Sequence, residues 1–399
     1  MKKKLLFIAP ELAPWKTGGI ASVVQHLASA IAQHGGYSVA IMGTVPRNVN
    51  SFPTGYHPNI DWLLIPKPLK VEPIYHTLLQ VRYRQAISDW IRTNPQGVIH
   101  FHILPGARVF LAAATALRSG NPLVLSLHDW PPYEIPYYER QLGHKLHWYL
   151  SLLLLRRFKN LVVNSGFIAN AAKTQCADAN VTIIPNGIRG NDWAQANSLS
   201  SAQTETFTIL YWGAVWKKKG VDLLLGAFAR LRSRAVPNAR LVVVGDGPEL
   251  GKIRHLASNL CLSDSIQFHQ HLDHSELRGV IDAAHAAVFP SVYEGFGIAI
   301  MEAMACGKVV VTTALGGPQE FISDCRDGVL VRDRTEEGLA AALEWLANHR
   351  DEIQRIGQAA HKKATSFDWS SIVPRYLALY ESLPSRYPLF ADRHVTGIA

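Results

Sequence analysis

Short apolar runs alternate with segments of helical periodicity along almost the whole chain, and this alternation limits the fold more than any other feature. The run Leu5–Ala9 is typical of a strand that is buried on both faces, and the apolar positions from Ile20 to Ile31 then follow one face of a helix. Strands that alternate with helices are joined by right-handed crossovers and therefore form parallel sheets. The pattern predicts an α/β fold.

The predicted strands form two series that are separated by a polar stretch. The first series is Leu5–Ala9, Val39–Met42, Val98–His102, Leu123–Leu127, Leu161–Asn164 and Thr182–Pro185, and the second is Phe207–Trp212, Leu241–Gly245, Ile266–Phe268, Ala286–Phe289, Val309–Thr312 and Val329–Val331. Residues 190–206 have the composition of a linker, and the periodic segment at 369–384 is typical of a closing helix. We therefore predict domains at 1–189 and 207–368, with the last helix returning toward the first domain.

The composition excludes several classes of protein. Of the 399 residues, 48% are hydrophobic and 18% are charged, which excludes a disordered or collagen-like chain. The four cysteines are far apart in the sequence, which argues against a structural zinc site and fits a reducing compartment. No apolar stretch reaches the roughly 18 residues that a membrane-spanning helix needs. The apolar run after Lys2–Lys4 is too short for a secretory signal, so we expect a cytoplasmic protein.

The positive charge lies in the first half of the chain. The net charge is +9, and residues 1–200 contain 19 Lys and Arg against 9 Asp and Glu. Such an excess indicates an anionic partner, or it is a solvated basic face without one. The segment 147–159 combines aromatic residues, leucines and cations, so it is either a core helix or a peripheral contact with anionic lipid. Aromatic residues and cations do not interleave on one surface, and we expect no nucleic-acid partner.

Glycines and histidines follow the strands of the first series, where ligands bind in open parallel sheets. Gly18 and Gly19 precede a helix, so that backbone N–H groups there can approach an anion, and Lys16 adds a positive charge. A plain strand-to-helix turn is the alternative. His102 and His128 end two successive strands, which favours hydrogen bonding or proton transfer, although a lone histidine is more often structural.

Two turns of the second series are candidates for contacts with a phosphorylated ligand. Lys217–Gly220 opens a helix, where the lysines oppose the helix dipole at a cost of a few tenths of a kcal/mol. A bound diphosphate would offset this cost, whereas a solvated basic loop is the alternative, and Lys218 and Lys219 are the candidate ligands. Asp246 and Gly247 lie in a glycine turn that suits close packing against a base or sugar, but such turns are common.

The segment 290–303 carries the strongest signal in the chain. A strand ends at Phe289, glycines free the loop that follows, and a helix begins near Gly297. The exposed N–H groups of Phe296, Gly297 and Ile298 can hold a phosphate. Glu294 in the loop and Glu302 on the second turn of the helix can accept hydrogen bonds from vicinal hydroxyls, as in the recognition of a ribose or hexose. The alternative is an acidic loop and an exposed helical glutamate.

Several catalytic motifs are absent from the sequence. It contains no Asp-x-Asp, so a metal–diphosphate clamp of that type is not expected, and we predict neither a metal nor a cofactor. It also lacks H-E-x-x-H, G-x-S-x-G and the G-x-x-x-x-G-K-[ST] phosphate loop.

These residues resemble the retaining glycosyltransferases of the family-four type, which have the GT-B fold. The resemblance covers most of the chain and depends on Glu294 and Glu302 with seven residues between them. It also depends on a set of motifs in one order, namely Gly18-Gly19, His128-Asp129, Ile184-Pro185-Asn186-Gly187, Lys219-Gly220, Gly245-Asp246-Gly247-Pro248 and Gly316-Gly317-Pro318-Gln319-Glu320. It implies two Rossmann-like, doubly wound domains that face a central cleft.

The resemblance also implies an activity and roles for single residues. A hexose would pass from a nucleotide sugar such as UDP-glucose to a saccharide or lipid-linked saccharide. Glu294 would contact the donor sugar, Glu302 the ribose and Lys219 the diphosphate, while the Gly18-Gly19 loop would close over it. His128 would line the acceptor side of the sugar, and His102 and Asp129 are further acceptor-side candidates.

The chain departs from the family pattern at two positions. Ala214 stands where the family usually has Arg, so that one phosphate contact is missing or comes from Lys217 or Lys218, and Arg189 stands where Asp is common. The sequence Lys16–Ile20 is similar to a loop of bacterial glycogen and starch synthases, which keeps a glucan synthase open as an alternative. A non-catalytic nucleotide-sugar-binding regulator is the other alternative, because a fold does not fix a function.

Overall fold

The computed structural model describes residues 2–9, 12, 18–47, 55–68, 75–102, 109–130, 151–193 and 206–387. The chain divides into two compact units. The first unit comprises Met1–Gly187 together with the residues from Trp369 onward, and the second comprises Ile188–Asp368. Each unit is built around its own parallel sheet.

The sheet of the first unit has seven parallel strands in the order β3-β2-β1-β4-β5-β6-β7. The strands are β1 Lys3–Ile8, β2 Tyr37–Val45, β3 Asp61–Pro66, β4 Val98–Phe101, β5 Leu123–Leu127, β6 Asn160–Val163 and β7 Asn180–Ile183. The strand order reverses between β1 and β4, and ligands of open α/β sheets bind beside such a switch point, at the carboxyl ends of the strands. Six of these strands are predicted from the sequence, and β3 is not.

Helices cover this sheet. They are Gly19–His34, Tyr75–Thr93, Phe110–Leu117, Gly166–Gln175 and Trp369–Ser382. The last of these packs against Gly19–His34 and buries Tyr376 and Tyr380 in the first unit. Arg375 of the same helix donates to the carbonyl oxygen of Ile183 at 2.8 Å.

The described part of the segment 147–159 is helical at residues 151–155. Leu154 and Leu155 are buried, as the core-helix interpretation requires, whereas Leu153 is 45% exposed. Contact with lipid stays a prediction. No helix in the described ranges is long and apolar enough to cross a membrane.

The second unit has six parallel strands in the order β10-β9-β8-β11-β12-β13. The strands are β8 Thr208–Trp212, β9 Arg240–Val244, β10 Ile266–His269, β11 Ala286–Phe289, β12 Val309–Thr313 and β13 Val329–Val331. The helices are Val221–Arg234, Leu250–Asn259, His274–Ala283, Ile298–Ala305, Pro318–Phe321, Glu336–Asn348 and Arg350–Thr365. The strand order reverses between β8 and β11, so that the carboxyl ends of these two strands mark the switch point. The predicted α/β fold with parallel sheets is confirmed.

The helix Ile298–Ala305, which carries Glu302, packs against the helix Arg350–Thr365. The turn that follows the shorter helix contacts the longer helix where Gly357, buried in the longer helix, lies against the carbonyl oxygen of Gly307. A Cβ atom at Gly357 would overlap that oxygen. The glycine therefore sets how closely the two helices approach.

We predict that Gly357→Ala destabilises the protein by about 1–3 kcal/mol, because the added methyl group displaces a packed backbone. Alanine gains up to about 1 kcal/mol of helix propensity over glycine, which is too little to offset the overlap. Gly279, exposed in the helix His274–Ala283, has nothing within 4 Å of an added methyl group, so Gly279→Ala is the matched control and should stabilise by about 0.5–1 kcal/mol. Urea unfolding measures both changes, and equal midpoints for the two variants would contradict this packing.

Candidate functional site

The loop after β11 holds Glu294 and is fixed by a second loop that follows β12. Gly317 N–H donates to the carbonyl oxygen of Glu294 at 2.8 Å, and Gly316 pairs with Glu294 as an isolated parallel bridge. Gly316 has φ +91°, and a Cβ atom there would overlap the Glu294 carbonyl oxygen. Only glycine therefore allows the two loop backbones to come this close.

The three lysines at 217–219 form a 3-10 turn that docks on the same loop. Gly220 ends the turn at φ +68°, and a Cβ atom at that position would overlap the carbonyl oxygen of Pro290. The N–H of Val292 donates to the carbonyl oxygen of Lys218 at 2.7 Å. The lysine turn after β8 and the acidic loop after β11 are thus in direct backbone contact, as their places at the switch point allow.

Lys219 and Glu294 form an ion pair at the centre of this contact. Lys219 Nζ lies 2.6 Å from Glu294 Oε1, with the side chains 23% and 15% exposed. The Ser291 hydroxyl donates to the same oxygen at 2.6 Å. Burial would raise the pKa of Glu294, but the Lys219 ammonium group and the hydrogen bonds from Lys219 and Ser291 hold the pKa below its usual value. Glu294 is therefore ionised at neutral pH.

The remaining lysines of the turn differ in their surroundings. Lys217 pairs with the carboxylate of Asp222 and is 54% exposed. Lys218 Nζ lies over the Tyr293 ring, 5.3 Å from its centroid, and its charge also lowers the pKa of Glu294. Of the two lysines that could replace the family's arginine at Ala214, Lys218 is the one beside the Glu294 loop.

Glu302 lies in a different environment from Glu294. Burial raises the pKa of its carboxyl group to about 7, although a hydrogen bond from the Trp212 indole, with Nε1 3.3 Å from Oε2, works in the opposite direction. Gly297, at φ +88°, precedes the helix that carries Glu302, and no side chain caps that helix. The first N–H groups of the helix can therefore bind an anion.

The glycine turn that contains Asp246 and Gly247 has a structural explanation. Gly245 has φ +147°, and a Cβ atom there would overlap the carbonyl oxygen of Gly213. Val215 N–H donates to the carbonyl oxygen of Asp246 at 2.9 Å, and Asp246 Oδ1 accepts from Gly247 N–H at 2.7 Å. The contact between the two loops is therefore enough to explain these glycines, even if no ligand binds there. The donor-binding role of Asp246 and Gly247 stays a prediction.

Histidines at the ends of β4 and β5 of the first unit form one cluster, in which His100 and His102 are buried and His128 is half-buried. His102 Nδ1 lies 3.2 Å from His128 Nε2. His100 contacts the Tyr380 hydroxyl through Nδ1 at 2.7 Å and the Ser126 hydroxyl through Nε2 at 2.8 Å. Burial, together with the neighbouring histidines, lowers the pKa of His100 and His102 well below the usual value, and burial lowers the pKa of His128 to about 4. All three are neutral at pH 7, so His128 can donate or accept a hydrogen bond but brings no charge.

Asn164 extends this cluster to the end of β6 and is not among the site residues predicted from the sequence. Its Nδ2 donates to the carbonyl oxygen of His128 at 2.9 Å. Each of the two residues that contact His128 also has one buried atom without a hydrogen-bond partner within the described ranges, namely Asn164 Oδ1 and His102 Nε2. A signal was present in the sequence, because Asn164 ends a predicted strand as His102 and His128 do.

The other predicted residues of the first unit lie at exposed positions or outside the described ranges. Asp129 is exposed, and its Oδ1 accepts from Trp130 N–H at 2.9 Å. Gly18 has φ +148° and precedes the helix Gly19–His34, with nothing within 4 Å of a Cβ atom. Lys16 lies outside the described residues. Within the described ranges, no group of three or more His, Cys, Asp or Glu could hold a metal ion.

Two family models match the chain, one to each half. The model "Glycosyltransferase Family 4" matches residues 17–189, and "Glycosyl transferases group 1" matches residues 196–363. A glycogen synthase of Mycobacterium tuberculosis is 28% identical over 404 residues, which cover 94% of each chain. The two models therefore span both compact units, and the relative matches nearly its full length.

Solved glycosyltransferase structures have the same fold. A sucrose-phosphate synthase from Thermosynechococcus elongatus has a TM-score of 0.80 at 20% identity and covers 95% of this chain and 98% of its own. HepE of Anabaena, solved in complex with UDP-glucose, has a TM-score of 0.72 at 20% identity and covers 95% of this chain and 100% of its own. The likeness confirms the predicted GT-B fold.

The buried histidines predict a loss of stability in acid. The folded protein keeps them neutral, whereas in the unfolded chain they bind protons near pH 6.5. The free energy of unfolding that depends on these histidines is therefore complete above about pH 6.5. It is lost as the pH falls toward 4, which is the pKa of His128. We expect His100→Gln to reduce the slope of unfolding free energy against pH by up to about 1.4 kcal/mol per pH unit in this range.

Urea unfolding at pH values from 4.5 to 8 measures this slope. His34→Gln, at an exposed position of the same unit, is the matched control and should leave the slope as in the unmodified protein. A slope for His100→Gln equal to that of the control would show that the buried histidines do not cause the acid sensitivity.

Proposed function

The chain belongs to the glycosyltransferases whose two domains these family models describe, and from this premise we propose that it transfers a hexose from UDP-glucose to a hydroxyl of a saccharide or lipid-linked saccharide. The observation that carries the proposal is the Lys219–Glu294 pair at 2.6 Å, beside a lysine turn and an uncapped helix that bears Glu302. Cations, N–H donors and two carboxylates are the groups that a nucleotide diphosphate sugar requires.

Each part of the donor has a complementary group in the second unit. The diphosphate would bind Lys218, Lys219 and the first N–H groups of the helix Ile298–Ala305, because an ammonium group has three donors and the helix end is uncapped. The ribose hydroxyls would donate to Glu302. The hexose hydroxyls would donate to Glu294, whose ionised state makes it a strong acceptor.

The transfer would proceed with retention at the anomeric carbon. The bond from C1 to the diphosphate oxygen breaks, and its electron pair goes to the diphosphate, which Lys219 and the helix end stabilise. The acceptor oxygen forms its bond to C1 on the same face, and its proton passes to the leaving phosphate. The sequence offers no clear covalent nucleophile, which supports this front-face route. Neutral His128 would orient hydroxyls on the acceptor side.

A glucan synthase is the second candidate, because the glycogen synthase relative matches 94% of the chain. The two candidates differ in the acceptor that they extend. Elongation of malto-oligosaccharides by UDP-glucose or ADP-glucose would favour the glucan synthase. A chain that binds a nucleotide sugar and neither transfers nor hydrolyses it would be a regulator.

We predict that Glu294→Ala lowers the rate of UDP-glucose turnover by about 100-fold or more, since it removes a charged group placed at the reacting sugar. UDP affinity should change little, because Lys219 remains to bind the diphosphate. Hydrolysis of UDP-glucose and calorimetric titration with UDP measure the two effects. Glu337→Ala, at a 59% exposed carboxylate of the same unit, is the matched control. Undiminished turnover in Glu294→Ala would refute the proposed role.

We predict that Glu302→Gln weakens UDP binding and removes one step of its pH dependence. The pKa of Glu302 is about 7 in the free protein, and the ionised carboxylate accepts hydrogen bonds from hydroxyls more strongly than the protonated acid does. UDP affinity should therefore rise with pH up to about 7 and level off above it, and Glu302→Ala should cost up to ~3 kcal/mol. Ionisation of the UDP phosphate affects the unmodified protein and Glu302→Gln alike. The difference between their pH profiles of UDP affinity therefore reports the ionisation of Glu302. The same pH profile in Glu302→Gln would contradict the ribose role.

A further inference from the structure

Trp212 is the last residue of β8, and its indole ring is held from the side by the neighbouring strand. The ring lies edge-on against Phe289, the last residue of β11, with centroids 4.9 Å apart and planes at 76°. Only 6% of Trp212 and 4% of Phe289 are exposed. The contact with Phe289 and the burial of both residues therefore hold the indole ring and its N–H in place.

This N–H has one partner, the carboxylate on the second turn of the helix Ile298–Ala305. Trp212 Nε1 donates to Glu302 Oε2 at 3.3 Å, and within the described ranges no other donor is bonded to that carboxylate. An indole has a single donor and no acceptor. The contact therefore occupies one carboxylate oxygen and leaves Oε1 available for another group.

We infer that Trp212 is a positioning residue for the nucleotide ribose, which holds Glu302 in the orientation where Oε1 accepts the ribose hydroxyls. The inference rests on the proposed function, in which Glu302 binds the ribose. A free glutamate side chain loses rotamer entropy when a ligand fixes it. A rigid indole bonded to Oε2 fixes the side chain beforehand, so that less binding free energy is lost in ordering it.

A neutral hydrogen bond from the indole also suits a carboxylate that must keep its charge for the ribose hydroxyls. A lysine or arginine at this place would form an ion pair with Glu302 and compete with the ribose for its charge. At Glu294 the structure shows that arrangement, with Lys219 on Oε1. The Trp212 contact orients Glu302 without neutralising it.

The experiment compares ligands that differ only in the ribose. UDP and 2′,3′-dideoxy-UDP are titrated by calorimetry into the unmodified full-length protein, Trp212→Phe and Trp216→Phe. Trp216 is 48% exposed in the loop after the same strand and serves as the matched control. A fourth protein carries 3-benzothienylalanine at position 212, which keeps the size of the indole and lacks its N–H, so that a packing defect in Trp212→Phe can be recognised.

We expect both replacements of Trp212 to weaken UDP binding by about 5- to 10-fold and dideoxy-UDP binding by less than about 2-fold. The Trp216→Phe control should match the unmodified protein with both ligands. A purely structural role for Trp212 would weaken both ligands equally, and that result would overturn the inference.

The outcomes also separate this inference from the proposed function. If the unmodified protein prefers UDP over dideoxy-UDP and both Trp212 replacements keep that preference, only the inference about Trp212 fails. If the unmodified protein binds both ligands equally, the ribose role of Glu302 is wrong, and the inference about Trp212 is then wrong as well. If it binds neither, the proposed nucleotide is wrong as well.

Discussion

The ion pair between Lys219 and Glu294 organises the candidate site of the second unit. The two residues come from the loops that follow β8 and β11, which are neighbouring strands of the sheet. Gly220 allows the loop after β8 to contact the loop after β11, and Gly316 allows the loop after β12 to contact it as well, because a side chain at either glycine would overlap a carbonyl oxygen of the β11 loop. The charges then lie 2.6 Å apart in a partly buried place, where leaving either one alone would be costly. The glycines thus set how closely the loops approach. The ion pair offsets the cost of burying each of its two charges.

The polar residues of the first unit are arranged on a different principle. At the ends of β4 and β5, neutral histidines contact one another and the hydroxyls of Ser126 and Tyr380. Tyr380 belongs to the last helix, so that the end of the chain completes a cluster built by residues some 280 positions earlier. Burial keeps these rings uncharged, which suits the recognition of neutral hydroxyls better than that of phosphates. The excess of positive charge in the first half of the chain therefore has no counterpart in this cluster.

The sequence predicts the sheets and the loop that carries Glu294 because both depend on local patterns. Strands buried on both faces, such as β11 and β12, read as continuous apolar runs, and a strand followed by glycines and a helix is a recognisable unit. The strand β3 is missed because only one of its six residues is buried, so its apolar signal is weak. Trp212 and Asn164 are missed for another reason. Each ends a predicted strand, but its partner lies on a distant segment, and spacing along the chain does not show which strand ends meet.

The two glutamates show why residue type alone does not give a role. Glu294 and Glu302 are eight positions apart, yet their pKa values move in opposite directions, since a lysine faces one and an indole faces the other. Glu294 is a fixed negative charge that already balances a cation, and a ligand phosphate drawing on Lys219 would leave its carboxylate freer to accept sugar hydroxyls. Within the described residues no cation pairs with Glu302, so in the proposed complex the ribose hydroxyls would stabilise its charge. Under the proposed function, binding at Glu302 would be linked to loss of a proton near neutral pH, whereas binding at Glu294 would be linked to a rearrangement of the ion pair.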